Sequence, residues 1–447
     1  MNIEAGALPS EVIKYLNKYS LEKRSAEYGG AETFNNIAVI PAIKEYGNII
    51  KLIESLALCD SAYFPETLFL FVINNTLNAP DEIIEDNRRS IALLRNFING
   101  KETHGTLNGT VLKSGIRIGF IDASSEGKAM PVKEGGVGYA RKIGMDAALE
   151  LFNYKNKKKK ILICLDADCT VNKQYLTSIV ESFNKKDLNA GYVNFEHPLP
   201  DDDESRLAII NYEIFLRYYV LGLIYAGSSY AIHTIGSTML CTYESYIKVE
   251  GMNKKKAAED FYFMEKLCKN YSIHKVDGAS VYPSSRGSWR VPFGTGQRVN
   301  RYLSKEQNEY LLYSPSSFEV LKKWNSLFNS GLIQTAAEYL GKAAEIHPAL
   351  HSFLIQNNFE ESWGKIASSC KSTEQLAKQK HFWFDGFRTL KLIHHLRDNG
   401  IPQEEMFGAV ESVLKKMGNE KGININGSYR NSISEQLVYL KKLREIA

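Results

Sequence analysis

Apolar runs of strand length alternate with segments of helical spacing along the first two thirds of the chain. Residues 37–40, 68–73, 117–121 and 161–165 are short apolar runs bounded by turn residues, which predicts strands. Between them, apolar residues recur every three to four positions, as in residues 48–58, which predicts helices. This alternation predicts an α/β fold, a Rossmann-like and mostly parallel sheet flanked by helices.

The pattern changes near residue 317, after which strand-like runs vanish and helical spacing dominates. We therefore predict three parts. Residues 1–34 form an N-terminal helical extension, residues 35–302 form the α/β domain, and residues 303–447 form an α-helical C-terminal domain or extension. A chain of 447 residues is long enough for more than one hydrophobic core.

Residues 207–226 are apolar enough to be tested as a membrane span. They carry Glu213 and Arg217, four positions apart. Two charges at the centre of a bilayer are costly, whereas an ion pair at this spacing is ordinary on a helix of a soluble protein. We predict a mostly buried helix and no transmembrane span. The first ten residues lack a basic region followed by an apolar core, which predicts no secretory signal.

Charge and cysteine content narrow the class of protein. The formal net charge is only +4, and no nucleic-acid-binding motif is present, so we predict no nucleic-acid partner. The six cysteines are scattered without a Cys-x-x-Cys pair, which favours a reducing, cytoplasmic environment. The lysine run at residues 157–160 fits a solvated turn, and it leaves a peripheral membrane contact open. A homo-oligomer is equally open.

Two carboxylates, Asp166 and Asp168, directly follow the apolar run at residues 161–165. In open α/β sheets, ligands bind just beyond the carboxyl ends of the strands. Paired aspartate oxygens suit a hard divalent cation such as Mg²⁺ or Mn²⁺, and such cations hold substrate phosphates. The alternative is an ordinary turn at a strand end, in which Asp166 caps the segment that follows.

Further motifs stand at the ends of predicted strands and at the start of a predicted helix. The first strand runs into a Pro-Ala-Ile-Lys-Glu segment at residues 41–45, and the second ends in Asn74 and Asn75. A glycine-rich segment at residues 136–144 opens a helix and contains Arg141. Small residues at a helix start permit close approach, and the helix N-terminus favours phosphate.

The order of these motifs resembles the nucleotide-sugar-dependent glycosyltransferases with a GT-A fold, specifically the family-2 type, over residues 35–302. The family has Pro-Ala-Tyr-Asn-Glu after its first strand and Val-Asp-Asp-Gly-Ser at its second, so Ile43, Lys44 and the two asparagines depart from it. The resemblance implies that Asp168 binds Mn²⁺ or Mg²⁺, with Asp166 on the metal, a metal-bound water or the ribose. The donor nucleotide would be bound by Pro41, Ala42, Glu45, Asn74, Asn75, Arg141 and Asp166.

Two later segments extend the resemblance. Glu259 and Asp260 match the family's Glu-Asp at the start of a helix beneath the acceptor, which implies Asp260 as the catalytic base and Glu259 as the alternate. From the residues alone, acids at a helix start also complement its dipole. Residues 290–302 are similar to the Gln-x-x-Arg-Trp segment of processive members. We interpret them as a basic loop over the donor diphosphate that uses Gln297 and Arg298, or as a loop between two domains.

The resemblance implies an enzyme, a metal-dependent glycosyltransferase of the hexosyltransferase type. It would move a sugar from a nucleoside-diphosphate sugar to a hydroxyl of a glycan, a lipid-linked acceptor or a small molecule, with inversion. One alternative is a nucleotidyltransferase that makes sugar nucleotides, which would usually carry a glycine-rich phosphate loop where residues 41–45 stand. The other is a non-catalytic module that binds nucleotide sugars.

Overall fold

The computed structural model describes residues 8–101, 109–287, 294–330, 335–419 and 432–447. They form two compact units. Unit 1 comprises the described residues of Met1–Pro198 and Thr234–Ser284, and unit 2 comprises those of Leu199–His233, Ser285–Trp289 and Gly294–Ala447. This division groups residues 199–233 and 294–302 with the C-terminal helices. The predicted domain boundaries after residues 34 and 302 stay a prediction.

Unit 1 is built on one mixed sheet. Its strands are β1 (Ala26–Glu27), β2 (Asn36–Ala42), β3 (Thr67–Asn74), β4 (Arg117–Ala123), β5 (Ile161–Cys164), β6 (Thr170–Val171), β7 (Ala190–Phe195), β8 (Met239–Thr242) and β9 (His274–Tyr282). Their spatial order is β1-β4-β3-β2-β5-β8-β7-β9-β6. In unit 2, β10 (Leu311–Leu312) and β11 (Glu404–Glu405) form a two-stranded antiparallel sheet. The expectation that strands vanish after residue 317 is therefore wrong for β11, because a pair of glutamates carries no strand pattern.

Helices flank the sheet of unit 1 and make up most of unit 2. In chain order they are α1 (Ser10–Tyr19), α2 (Tyr46–Ala57), α3 (Asp81–Ile98), α4 (Gly109–Leu112), α5 (Val137–Leu151), α6 (Tyr175–Lys185), α7 (Asp203–Tyr225), α8 (Tyr243–Lys248), α9 (Glu259–Asn270), α10 (Thr295–Ser304), α11 (Pro315–Phe328), α12 (Ala336–Ile346), α13 (Pro348–Gln356), α14 (Phe359–Ser369), α15 (Thr373–Trp383), α16 (Gly386–Asp398), α17 (Met406–Lys416) and α18 (Ile433–Ile446). Helices α7 and α10 to α18 belong to unit 2. Short 3₁₀ helices at Ser61–Glu66 and Gly236–Thr238 belong to unit 1.

Four neighbouring strands, β4, β3, β2 and β5, are parallel and confirm the predicted fold class. Every residue of β2 and β3 is buried, which explains why these strands are continuously apolar instead of alternating. Because they are parallel, their carboxyl ends meet at one edge of the sheet. The segments after β2, β3 and β5 therefore share that edge.

The sequence predicted a strand over residues 37–40 that ends before Pro41. In the structure, strand β2 continues through Pro41 to Ala42. Pro41 pairs with Val72 of β3, while the ladder between β2 and β5 ends at Val39. The carbonyl oxygen of Val39 accepts a hydrogen bond from Leu165, so the backbone groups of residues 39 and 41 point towards β5. Since β5 no longer pairs at residue 41, the missing N–H of proline costs no ladder hydrogen bond.

Strand β8 is antiparallel to both of its neighbours, β5 and β7, which the alternating pattern did not indicate. Its four residues are all buried, and a fully apolar run carries no signal for strand direction. The longest ladders of the sheet remain parallel, so most paired residues follow the prediction.

Helix α7 of unit 2 holds the predicted ion pair. Arg217 Nε donates to Glu213 Oε1 at 2.8 Å, and both side chains are buried. Arg444 of α18 adds two hydrogen bonds to the Glu213 carboxylate, at 2.7 and 2.9 Å. Within the described part of the chain, α7 is the one helix long and apolar enough to cross a membrane, and 67% of its most apolar window is buried in the protein. Core helices of globular proteins pass the same test.

Candidate active site

The turn after β5 carries the two predicted aspartates. Leu165 donates its backbone N–H to Val39, and Cys169 donates to the carbonyl oxygen of Asp166 at 3.2 Å, which closes a tight turn. Asp166 and Asp168 are half-buried, while the intervening Ala167 is buried. Both carboxylates thus lie at the carboxyl end of β5. The structure thus has a turn at the end of the strand, as the alternative interpretation expected. In addition, the Asp166 carboxylate in this turn binds a buried arginine.

That arginine is Arg141 of α5, whose guanidinium joins Asp166 to Glu259. Its Nη2 donates to Oδ1 of Asp166, and its Nη1 donates to Oε1 of Glu259. Only 2% of Arg141 is exposed. Burial by itself lowers the pKa of the guanidinium, but attraction to Asp166 and Glu259 outweighs it and raises the pKa above its ordinary value. Arg141 is therefore a permanent buried cation between two carboxylates.

Glycines in α5 explain how the helix brings Arg141 to this place. A Cβ atom on Gly138 would overlap the carbonyl oxygen of Lys255 and lie 2.9 Å from Cβ of Glu259. A Cβ atom on Gly144 would overlap a methyl group of Val39 in β2. The small residues of the glycine-rich segment thus let α5 contact both the sheet and the segment that leads into α9. Their predicted affinity for phosphate stays a prediction.

Glu259 and Asp260 form the first turn of α9, which follows Ala258 in a left-handed conformation with φ of 58°. Burial raises the pKa of Glu259 to about 7, against the attraction of Arg141. Burial also raises the pKa of Asp260, Arg141 lowers it, and Asp166 raises it further. Four of the predicted site residues, Arg141, Asp166, Glu259 and Asp260, are therefore within electrostatic reach of one another.

Asn74 and Asn75 end β3 in a network that includes Asn87 of α3. Nδ2 of Asn87 donates to the carbonyl oxygen of Asn74 at 3.1 Å and to Oδ1 of Asn75 at 2.9 Å. Nδ2 of Asn75 donates to the carbonyl oxygens of Thr76 and Ser124. Both ends of the Asn75 amide are thus engaged by protein groups. The sequence analysis did not identify Asn87. The feature that could have indicated it is a polar residue within the apolar face of α3.

Pro41, Ala42 and Glu45 lie at the end of β2 and at the start of α2. The carbonyl oxygen of Glu45 accepts from Ile49 at 2.8 Å, and its carboxylate accepts from Asn48. Glu45 is buried. The strand register places this segment at the same edge of the sheet as the Asp166 turn. A contact with a nucleoside there stays a prediction.

Gln297 and Arg298 belong to unit 2. They lie on α10 (Thr295–Ser304), so the predicted loop is wrong for residues 295–302. The helix forms because the apolar Val299 and the neighbouring Tyr302 pack in a cluster with Tyr212 of α7. Arg298 pairs with Glu309 at 2.7 Å, and its guanidinium lies 4.3 Å from the centre of the Phe215 ring. Residues 290–293 of the same predicted segment lie outside the described residues.

The fit of a divalent cation depends on the substrate. Among the residues that the structure describes, no three His, Cys, Asp or Glu side chains form a group that could hold a metal ion. Mg²⁺ at phosphate sites is usually held by one or two carboxylates together with substrate phosphates and water. The half-buried Asp168 fits such a site, whereas one oxygen of Asp166 already binds Arg141.

Comparisons with known proteins give structural neighbours only. No protein-family model matches the chain, and no curated protein matches it. One neighbour is S. aureus TarS 1–349 in complex with UDP-GlcNAc, which is 12% identical, with 82% of this chain and 92% of that chain covered and a TM-score of 0.39. Another is the mannosyltransferase PcManGT from Pyrobaculum calidifontis with GDP-Man and Mn²⁺, which is 11% identical, with 97% and 91% covered and a TM-score of 0.35. Similarity this low assigns no function.

Proposed function

We propose that the protein is a GT-A-type glycosyltransferase of the family-2 kind, which transfers a sugar from a nucleoside-diphosphate sugar to an acceptor hydroxyl. The observation that carries the proposal is the cluster of Asp166, Glu259 and Asp260 around the buried Arg141 at the carboxyl end of β5. Ligands of open α/β sheets bind beyond this edge. The motifs after β2, β3 and β5, which follow one another in the order seen in such enzymes, lie at the same edge.

The donor would lie over the carboxyl ends of β2, β3 and β5. The diphosphate of the donor is a poor leaving group until its negative charge is offset. Asp168 would hold a divalent cation there, and that cation would offset the charge as a Lewis acid. Pro41, Ala42 and Asn74 would line the nucleoside. The Asn75 amide is hydrogen-bonded to Asn87 and to two carbonyl oxygens. We therefore propose that Asn75 stabilises the end of β3 and does not bind the base of the donor.

Asp260 would take the proton from the acceptor hydroxyl. A general base is most effective when its pKa lies near the working pH, and burial moves the pKa of Asp260 in that direction. Glu259 is bound to Arg141, which leaves Asp260 as the carboxylate available for proton transfer. Attack on the face opposite the departing diphosphate would invert the anomeric centre.

The test is turnover of a panel of uridine, guanosine and thymidine diphosphate sugars with Mn²⁺ and with mixed sugar, lipid-linked and small-molecule acceptors. Chelation or Asp168→Ala should abolish turnover, and Asp260→Asn should lower kcat by about 10²- to 10⁴-fold, the range for loss of a general base. Asp277→Asn, which changes an aspartate of β9 with 84% side-chain exposure, is the control.

Three outcomes would contradict the proposal. Turnover that survives chelation and Asp168→Ala would remove the metal role. Release of pyrophosphate from a nucleoside triphosphate and a sugar phosphate would identify a nucleotidyltransferase. Tight donor binding in calorimetry, without transfer or slow hydrolysis for any acceptor, would identify a binding module.

A further inference from the structure

Gly236, in the 3₁₀ helix before β8, lies directly against the guanidinium of Arg141. A Cβ atom at Gly236 would overlap Nη2 of Arg141 and lie 2.8 Å from both Cζ and Nη1. The new Cβ would thus meet the end of the guanidinium that carries the two Nη atoms. Any side chain at position 236 would displace the group that joins Asp166 to Glu259.

We infer that Gly236 and Arg141 act together as a positioning pair, here called the arginine clamp, which sets the spacing between the Asp166 turn and the first turn of α9. The kinetic part of this inference rests on the proposed function. Its structural part rests only on the contacts of Gly236, Arg141, Asp166 and Glu259.

The guanidinium is suited to this work because its donors form a rigid, planar fork that stays charged. Each of its two Nη atoms donates to a carboxylate on a different element, one after β5 and one at the start of α9. With both Nη atoms bound and Gly236 against the end that carries them, the guanidinium cannot turn without breaking an ion pair. The clamp therefore fixes two elements that are distant in sequence.

The clamp matters for the reaction through the neighbours of the residues that it binds. Asp168 lies two positions after Asp166 on the same turn, and Asp260 directly follows Glu259. Fixing Asp166 and Glu259 therefore fixes the separation between the proposed cation ligand and the proposed base. A misplacement of about 1 Å between reacting groups can cost on the order of 100-fold in rate.

This role differs from the donor contact that the sequence implied for Arg141. A residue that binds the donor directly changes the donor KM when it is altered, whereas a residue that positions catalytic groups changes kcat with little effect on KM. Arg141 is 2% exposed, and its two Nη atoms are bound by carboxylates. We therefore expect the kinetic effect in kcat.

The test is a double-mutant cycle of Gly236→Ala and Arg141→Lys. Gly236→Ala should lower kcat by on the order of 100-fold, with a donor KM unchanged within about threefold. In the Arg141→Lys background the same substitution should have little further effect, because lysine has no counterpart of Nη2, the atom that the new Cβ would overlap. Gly47→Ala in α2 is the matched control, since a Cβ there meets nothing within 4 Å.

Additive effects of the two substitutions, or an effect in donor KM alone, would overturn the inference. So would a Gly236→Ala protein as active as the Gly47→Ala control. If Gly236→Ala does not fold, a second cycle of Arg141→Lys with Glu259→Gln adds no volume and should be equally non-additive in kcat. If the wild type turns over no donor, the proposed function fails, and the clamp is then judged by non-additive midpoints of urea unfolding in the first cycle.

Discussion

At the scale of single residues, Asp146 of α5 is a buried carboxylate outside the site with three side-chain partners. Its Oδ1 accepts from the hydroxyl of Tyr15 at 2.8 Å and from that of Tyr246 at 2.7 Å, and its Oδ2 lies 3.1 Å from Nζ of Lys142. Burial raises the pKa of Asp146, against the attraction of Lys142. This network joins α1 and α8 to α5, the helix that also carries Arg141.

Tyr15→Phe should therefore destabilise unit 1 by about 1–3 kcal/mol, the usual cost of leaving a buried polar group short of a partner. The phenol of Tyr15 both donates to Asp146 and accepts from Lys142 at 3.0 Å, so its loss affects two buried charges. The measurement is the free energy of unfolding in urea, followed by circular dichroism. Tyr19→Phe, which removes an exposed bond to Glu250, should cost less than about 0.5 kcal/mol. Equal losses in the two variants would contradict this account of the network.

At the scale of elements, helix α16 presents two neighbouring histidines, one to the segment between β10 and α11 and one to α13. His394 Nε2 lies 2.8 Å from the hydroxyl of Tyr313, and His395 Nε2 lies 2.9 Å from the hydroxyl of Ser352. Burial lowers the pKa of both histidines. Arg397 lowers the pKa of His394 further, and Asp398 acts against both shifts. The folded helix thus holds both rings neutral at a pH where the unfolded chain would take up protons.

The stability of unit 2 should consequently fall as the pH falls below about 6.5, the ordinary histidine pKa. Above that pH, neither state binds the extra protons, and these two residues contribute no slope. Between 6.5 and the lowered pKa, the unfolded state binds more protons than the folded state, so acid favours unfolding. Urea unfolding at pH 5, 6, 7 and 8 measures the slope.

Tryptophan fluorescence is the readout for that titration, since the tryptophans among the described residues, Trp324, Trp363 and Trp383, all lie in unit 2. The double variant His394→Gln/His395→Gln keeps side chains that can hydrogen-bond but removes the titration, so its slope between pH 5 and 7 should be flatter. A slope unchanged in the variant would assign the pH dependence to other groups.

Elements also show why part of the molecule could be predicted and part could not. The parallel strands and α2, α5 and α7 were predictable because burial on one or both faces leaves a periodic or continuous apolar pattern. The direction of β8 was not predictable, because a run of four apolar residues carries no signal for strand direction. Helix α10 was not predictable either, because glycines at the start of a helix resemble a loop. In the candidate active site, the position of Asp166 and Asp168 was predictable, because they directly follow a buried apolar strand. The contact of Gly236 with Arg141 was not predictable, because it depends on tertiary packing and no local sequence pattern indicates it.

At the scale of the whole molecule, the two units differ in the composition of their cores. The core of unit 1 is mainly aliphatic and follows the sheet, whereas unit 2 has a dense aromatic cluster that includes Trp324, Phe328, Tyr339, Trp363 and Trp383. The units share one property, which is that their cysteines are free. All six cysteines lie in the described residues, and none forms a disulfide there. The reducing environment expected from the cysteine pattern stays a prediction.

Thiol reactivity should therefore separate one cysteine from the other five. Cys59, Cys164, Cys169, Cys241 and Cys268 are buried, and burial raises the pKa of each thiol, so the reactive thiolate is scarce at neutral pH. Cys370, in unit 2, is partly exposed. A thiol-specific reagent at pH 8 should label one site per native chain within minutes and six after denaturation in urea without reductant. Cys370→Ser should abolish the fast phase and leave the slow one. Fast labelling that persists in Cys370→Ser would mean that one of the buried thiols is accessible in the native protein, and fewer than six sites in urea would reveal a disulfide.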